Sequence, residues 1–291
     1  MLGHAQIHVD LDGLWTLYQY HGISHPVWPD PVYTTALPRF LSIFNDLGVK
    51  ATFFLIGKDL ENGSKFDLAK RIISNGHNIA NHSYSHIIPF QNLDEQTISK
   101  EISKTQTLLK QLAPEQKFGF RAPGFGMNET IFQELIDQSI AFDSSVFPCP
   151  WSGLLRKYEK KKSCGKVPDN GYGGEKYGWA PLYSYNPQLK NLSKKGNSPL
   201  LEYPVSVLPF IRLPIHRSFT QFTGLWYFKM ALKLLKIRKL PLICLFHGID
   251  LIDILRDEQI PEIKWIKTPF PQRIDEVRIM LKWVKEDFNI T

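Results

Sequence analysis

A run of apolar residues long enough to cross a membrane is missing from this sequence. None approaches the roughly 18 residues that a transmembrane helix needs, so no helical span is expected. Room for a cleavable leader is missing too, because the first strand-like stretch begins by residue 6. A cytoplasmic location follows as the expectation. Cysteine is scarce: Cys149, Cys164 and Cys244 form no CxxC pair. They fit a reduced compartment as packing or loop thiols, with a Cys149–Cys164 bridge as the lesser alternative. Internal repeats, low-complexity tracts and nucleic-acid motifs are absent as well, so no nucleic-acid partner is expected.

What remains is an ordinary globular composition. The 291 residues are 43% hydrophobic and 22% charged, enough for one large α/β domain or two small ones. Net charge is +7, from 35 Lys and Arg against 28 Asp and Glu. Much of the excess sits in "LLRKYEKKKSCGK" and "YFKMALKLLKIRK". That suggests an acidic partner, such as a phosphate-bearing substrate or an anionic membrane surface. Solvated lysine faces are the simpler reading of either run.

Short apolar β-type runs alternate with amphipathic helical patterns. The candidate strands are "QIHVDLD", "KATFFLIG", "HNIANHS", "FGFRAPG", "IAFDSSVF", "LLEYPVSVLP" and "PLICLFHG". Among the helices, residues 34–48 carry apolar positions at Leu37, Phe40, Leu41, Phe44 and Leu47 and end at Gly48, where a C-cap glycine belongs. Residues 65–76 end the same way at Gly76. Asp94 and Asn128 stand at helix starts, Pro114 follows a helix end, and a last helix covers 271–288. This alternation predicts a parallel sheet covered by helices, and about seven units favour a barrel over an open sheet. Nearly every strand ends in a residue with chemistry: Asp10 and Asp12, His82, Arg121, Asp143, His247. In an α/β barrel such residues converge on one mouth. We expect a single domain over 1–291, with residues 147–200 as a long Gly-, Pro- and aromatic-rich loop excursion over that mouth.

His82 and His86, four residues apart in "NHSYSH", suit a divalent metal. Two imidazoles and one carboxylate leave a coordination position for water, whose pKa the metal lowers. Asp10 and Asp12 are alternate strand residues and share a face. One can bind metal while the other takes a proton from the water; a turn-capping aspartate before Gly13 is the plainer alternative.

The ordered set "VDLDG", "HSYSH", "FRAPGF", "FDSSV" and "LFHGID" resembles the five motifs of the polysaccharide deacetylases, the NodB-homology or carbohydrate esterase family 4 group, over about residues 6–250. The resemblance implies a deformed (β/α)7-type barrel and a divalent metal, Zn2+ foremost with Co2+, Ni2+ or Mn2+ as alternatives. It implies hydrolysis of an N-acyl group from an amino sugar. Residue by residue, it makes Asp12, His82 and His86 the metal ligands and Asp10 the general base. Arg121 would orient Asp10, and His247 would be the general acid. The Gly124 N–H would hold the oxyanion, and Asp143 would stand near Arg121 or the histidines. Three departures stand out. Leu11 separates the aspartates, as in a D-x-D subgroup. Gly124, followed by Phe125, replaces the usual aromatic after the proline. Asp250 follows His247 by three residues, either to raise its pKa or to cap a helix.

For the substrate, the missing leader favours a cytoplasmic or membrane-surface amino sugar, phosphate-bearing or lipid-linked. Lys229, Lys233 and Lys236 lie on one face of a helix within 222–239, against Leu225, Phe228, Leu232 and Leu235. Such a helix can lie on an anionic bilayer or cover the barrel with its lysines outside. A branch of the family deformylates an aminoarabinose on a polyprenyl-phosphate carrier, so formyl competes with acetyl as the acyl group. Hydrolysis of non-sugar amides such as cyclic ureides, and non-catalytic carbohydrate or lipid binding on the same barrel, are the other readings. The complete residue set disfavours the non-catalytic one, and the aromatics Tyr172, Tyr177, Trp179 and Tyr183 favour pyranose faces.

Overall fold

A computed structural model describes residues 3–155, 157, 175–253 and 268–291. Strand β1 (Gly3–Asp10) is its axis. It pairs in parallel with β8 (Leu242–His247), placing Ala5 beside Leu242 and Asp10 beside His247. On its other side it pairs in parallel with β2 (Thr52–Leu55), which pairs with β3 (Asn78–Asn81). Single parallel bridges carry the order onward, from Asn81 to Phe120 and from Phe120 to Asp143. Asp143 belongs to β4 (Phe142–Asp143), which pairs in parallel with β7 (Leu201–Glu202). The candidate strand at 118–124 thus contributes only one bridging residue. Between β7 and β8 the join is a side chain: Ser206 Oγ accepts from the Ile243 N–H at 2.8 Å. The result is a (β/α) barrel deformed at that seam. Strand β9 (Phe288–Ile290) adds to the start of β1.

Strands β2 (TFFL) and β8 (LICLFH) are short and almost wholly apolar, as strands covered on both faces are. Ala5, Ile7 and Val9 of β1 and Cys244 and Phe246 of β8 join one buried cluster with the surrounding helices. Helix α1 (Leu14–Tyr20) follows β1. Helix α2 (Leu37–Leu47) buries Leu37, Phe40, Leu41 and Phe44 and ends at Gly48, whose φ of 60° is the left-handed conformation that glycine adopts freely. Short α3 (Gly57–Leu60) leads to α4 (Gly63–Ser74). Helix α5 (Glu95–Leu112) starts where expected, with Asp94 Oδ1 accepting from the Thr97 N–H at 2.9 Å. Asn128 caps α6 (Glu129–Asp137) in the same way at 2.8 Å. Helices α7 (Arg217–Thr223), α8 (Leu225–Ile237) and α9 (Phe270–Asp287) complete the described set.

The apolar face of α8 is committed to the barrel. Phe228, Ala231, Leu232 and Leu235 are buried in the main cluster, Lys236 pairs with Asp287, and Lys229 lies over the Trp283 ring. The face expected to meet a bilayer is therefore core, and the barrel-cover alternative describes this helix. Among the described residues no helix is long and apolar enough to cross a membrane. Within 147–200, Phe147, Ser152 and Leu155 reach the mouth. Residues 187–195 instead form an antiparallel hairpin, β5 (Pro187–Gln188) with β6 (Asn191–Lys195), that no strand pattern announced. Tyr177 and Leu192 pack with Phe120, Ile131 and Phe132 in a second cluster. Cys149 and Cys244 are buried thiols, whereas Cys164 and Tyr172 lie outside the described residues.

Candidate active site

Parallel pairing sets the site. Asp10 and His247 are in register at the ends of adjacent strands, and on the far side of β2 His82 follows β3 and Arg121 follows the Phe120 bridge. Asp10, His82 and His247 line a cavity of about 560 Å³ at the C-terminal ends of the strands, within the range of ligand pockets, and Arg121 is buried behind it.

Asp12 and the histidines form its first cluster. Asp12 Oδ1 lies 3.2 Å from His82 Nε2 and 3.6 Å from His86 Nε2. His82 Nδ1 sits 2.6 Å from the Arg121 carbonyl, which can only accept. Nδ1 thus carries a proton, which leaves Nε2, on the Asp12 side, as the atom that a metal would take in place of a proton. The H-x-x-x-H segment is no helix. Ser83 and His86 have φ of 60° and 51°, and the loop is clamped from outside. Glu101 Oε2 accepts from the N–H groups of Tyr84 and Ser85 at 2.9 and 2.8 Å, and Ser83 Oγ accepts from the His86 N–H at 3.1 Å. Burial pushes the His86 imidazole down to about 4, against the pull of Asp12. Burial also opposes charge on His82, but Asp12 outweighs it and holds the pKa above the usual histidine value. Burial raises Asp12, and His86 and His82 outweigh that, leaving it below the usual carboxylate range. The donor set fits a divalent cation. The ligand atoms lie within 4.8 Å of one another, and buried Asp12 Oδ1 receives no hydrogen bond.

Asp10 has different partners. Arg121 Nη1 donates to its Oδ1 at 2.6 Å, and His247 Nε2 lies 3.8 Å from its Oδ2. Arg121, fully buried, is held in turn by the Ser144 carbonyl (2.9 Å), Ser144 Oγ (2.8 Å) and His8 Nδ1 (2.7 Å), over the Phe54 ring. Since Arg121 only donates, His8 Nδ1 accepts, and burial and Arg121 together push the His8 pKa well below its ordinary value. His247 Nδ1 stands 3.1 Å from Ser218 Oγ. Asp250 Oδ2 accepts from the His247 backbone N–H at 2.8 Å, so Asp250 caps the turn, the second of its two expected roles.

Gly124 and Phe125 line the cavity. Gly124 has φ of 58°, a backbone reason for glycine where the family pattern has an aromatic, and Phe125 stacks on Phe147 with centroids 5.2 Å apart.

Asp143 bridges to Phe120, the residue before Arg121. It is fully buried, does not line the cavity, and contacts neither Arg121 nor the histidines through its side chain. Its Oδ1 accepts from Ser145 Oγ at 2.5 Å, and the Glu202 carboxyl is its buried neighbour. Burial raises both carboxyls, Glu202 the more strongly. Ser145 Oγ in turn accepts from the Ala122 N–H at 2.8 Å, so this pair braces the backbone before Gly124 from behind. The neighbouring Ser144 makes the contacts to Arg121.

The aromatics expected to stack on sugar are elsewhere. Tyr177 is core, Tyr183 lines a different cavity, and Trp179 is exposed beneath the Arg212 guanidinium. The mouth wall is instead Leu14, Leu17, Ile88, Phe147, Phe219 and Phe222. His8, Glu101, Ser144, His216 and Ser218 escaped the sequence reading. No motif spacing ties them to the site, and only the "FDSSV" segment pointed near Ser144.

An Asp-His-His cluster at the C-terminal mouth of a parallel α/β barrel is a donor set that can hold a divalent cation. Residues 28–141 match the sequence model of the family described as polysaccharide deacetylase. The segment contains His82, His86 and Arg121; Asp10, Asp12 and His247 lie outside it. The chain is 41% identical over 128 residues to a peptidoglycan-N-acetylglucosamine deacetylase of Bacillus cereus, covering 43% of this chain and 44% of that protein. A second Bacillus cereus protein of the same name is 30% identical over 105 residues, or 36% of this chain and 46% of that protein. The chain thus spans less than half the length of these relatives. In fold it is similar to a Mycobacterium smegmatis protein named as a polysaccharide deacetylase, with TM-score 0.59 and 17% identity over 99% of this chain and 85% of that one. It is equally similar to an allantoinase, with TM-score 0.60 and 13% identity over the same shares. At these identities the likeness is one of fold.

Proposed function

We propose that the chain is a metal-dependent hydrolase that removes an N-acyl group, acetyl foremost, from an amino sugar. The supporting observation is the division of labour between the two aspartates: Asp12 faces the two histidines while Asp10 faces Arg121 and His247. Asp12, His82 and His86 would hold the cation, for which the mixed imidazole–carboxylate set suits Zn2+, with Co2+, Ni2+ or Mn2+ as alternatives. When bound, a cation there supplies positive charge to polarise the amide carbonyl and to ease ionisation of water. Asp10, oriented by Arg121, takes the proton of the attacking water. The Gly124 N–H faces the developing oxyanion, and His247 gives a proton to the departing amine, which leaves poorly as an anion.

One observation favours a narrower substrate. The cavity wall is largely apolar, and no Lys or Arg is among its described lining residues. A lipid-linked amino sugar, with N-formyl as the alternative acyl group, fits that wall better than a bare polysaccharide, and any phosphate would be read outside the cavity. Mass spectrometry of lipid-linked, nucleotide-linked and polymeric N-acyl amino sugars incubated with metal-loaded protein tests both levels. Turnover of none of them would overturn the function, and turnover of the polymer alone would overturn the narrower substrate. His82→Ala and His86→Ala should each lose most bound metal and nearly all activity; full metal occupancy in both would refute the ligand assignment.

A further inference from the structure

Asp12 lies beyond the end of β1, so no strand ladder holds it. The last main-chain bond before it runs from the Leu11 N–H to the Phe54 carbonyl at 3.0 Å. What fixes the chain next is a buried charged cluster that the reaction does not use. Lys65 is fully buried, with Nζ 2.7 Å from Asp30 Oδ2 and 2.5 Å from Asp59 Oδ1. The two carboxylates reach the residues immediately after Asp12. Asp30 Oδ2 accepts from the Leu14 N–H at 3.1 Å, capping α1 from a distant part of the chain, because its own N-cap, Gly13, has no side chain to do so. Asp59 Oδ1 accepts from Trp15 Nε1 at 2.7 Å. Gly13 is enclosed by the same groups: a Cβ there would lie 2.7 Å from both carboxylates and 2.6 Å from Trp15 Nε1.

Burying one ammonium and two carboxylates is costly, and well-packed apolar side chains often serve stability as well or better. The directed contacts to Leu14 and Trp15 are what an apolar core could not supply. We propose that Asp30, Lys65 and Asp59 are positioning residues that set the Gly13–Trp15 turn and thereby aim Asp12 at His82 and His86, so that metal affinity depends on a cluster that touches neither metal nor substrate. The inference rests on the metal-site reading above.

The test is Zn2+ affinity of the full chain, measured by competition with a chromophoric chelator, with far-UV circular dichroism as the folding control. Lys65→Met should weaken Zn2+ binding by about 10–100-fold, the usual effect of removing a supporting partner of a metal ligand, and Lys65→Arg should restore part of it. Met280→Ala, a core truncation in α9 away from the mouth, should lower stability and leave Zn2+ affinity unchanged, which separates aiming from general loosening. Trp15→Phe removes one hydrogen bond of the cluster and should weaken binding by about 10-fold; it carries the test if Lys65→Met does not fold. Wild-type affinity in the folded variants would overturn the proposal while leaving the metal site intact. A wild-type protein that binds no Zn2+ would instead refute the metal reading and this inference with it.

Discussion

At the scale of residues, the two aspartates look interchangeable in sequence and are distinct in space. Asp10 ends a strand and meets a buried guanidinium; Asp12 lies two residues on and meets two imidazoles. Asp10→Asn should therefore retain metal and lower the rate by about 10²–10⁴, the usual contribution of a general base. Metal analysis beside kinetics checks it, and loss of metal from Asp10→Asn with retention in Asp12→Asn would exchange the two roles. His247→Asn should also retain metal and slow amide hydrolysis on the same order. An activated ester, whose leaving group needs no proton, should be hydrolysed with a much smaller loss. Equal losses on both substrates would place the donated proton elsewhere.

At the scale of elements, the packing of α2 against β2 and β3 contains a pH-dependent contact. His77 lies edge-on to Phe44 and Phe53, and its Nδ1 accepts from the Ala51 N–H at 3.2 Å, so that nitrogen cannot carry a proton in the folded state. Burial, with Lys50 adding to it, pushes the imidazole down to about 4. The folded value lies below that of an unfolded histidine, about 6.5, so the unfolded chain takes up the proton first. The stabilisation is complete above pH ~6.5 and is lost as pH falls from there towards 4. His77→Gln should flatten the fall of the urea midpoint between pH 7 and 4.5. An unchanged slope in that variant would assign the acid sensitivity to other groups.

At the scale of the whole molecule, the barrel is closed by unequal means. Five parallel pairings or bridges run continuously from β8 through β1 to β4, and a further ladder reaches β7. Between β7 and β8, the Ser206–Ile243 contact stands in for one. Ser206→Ala leaves a buried N–H without its acceptor and should cost about 1–3 kcal/mol, read as a lower denaturation midpoint. Full stability in that variant would show that the seam closes without this bond.

Much of the fold was legible because local chemistry announced it. Capping Asp94 and Asn128 and the glycines ending α2 and α4 each act through neighbours in the chain, and each is found where the pattern put it; the apolar runs were less exact, since 118–124 keeps one bridging residue and 200–209 a two-residue strand. The site residues were legible as types at strand ends, since parallel strands leave a barrel on one side. Contacts between distant segments were not. Asp143 turns to Glu202 while Ser144 takes Arg121, since neighbours on a strand point to opposite faces and the sequence does not say which is inward. The sugar-stacking aromatics became core or surface, and the apolar face of α8 was spent on the barrel. The sequence by itself determined which elements form and which chemistry stands at their ends. Only the tertiary structure decided which side chains face one another, because burial and charge pairing are settled between segments a hundred residues apart.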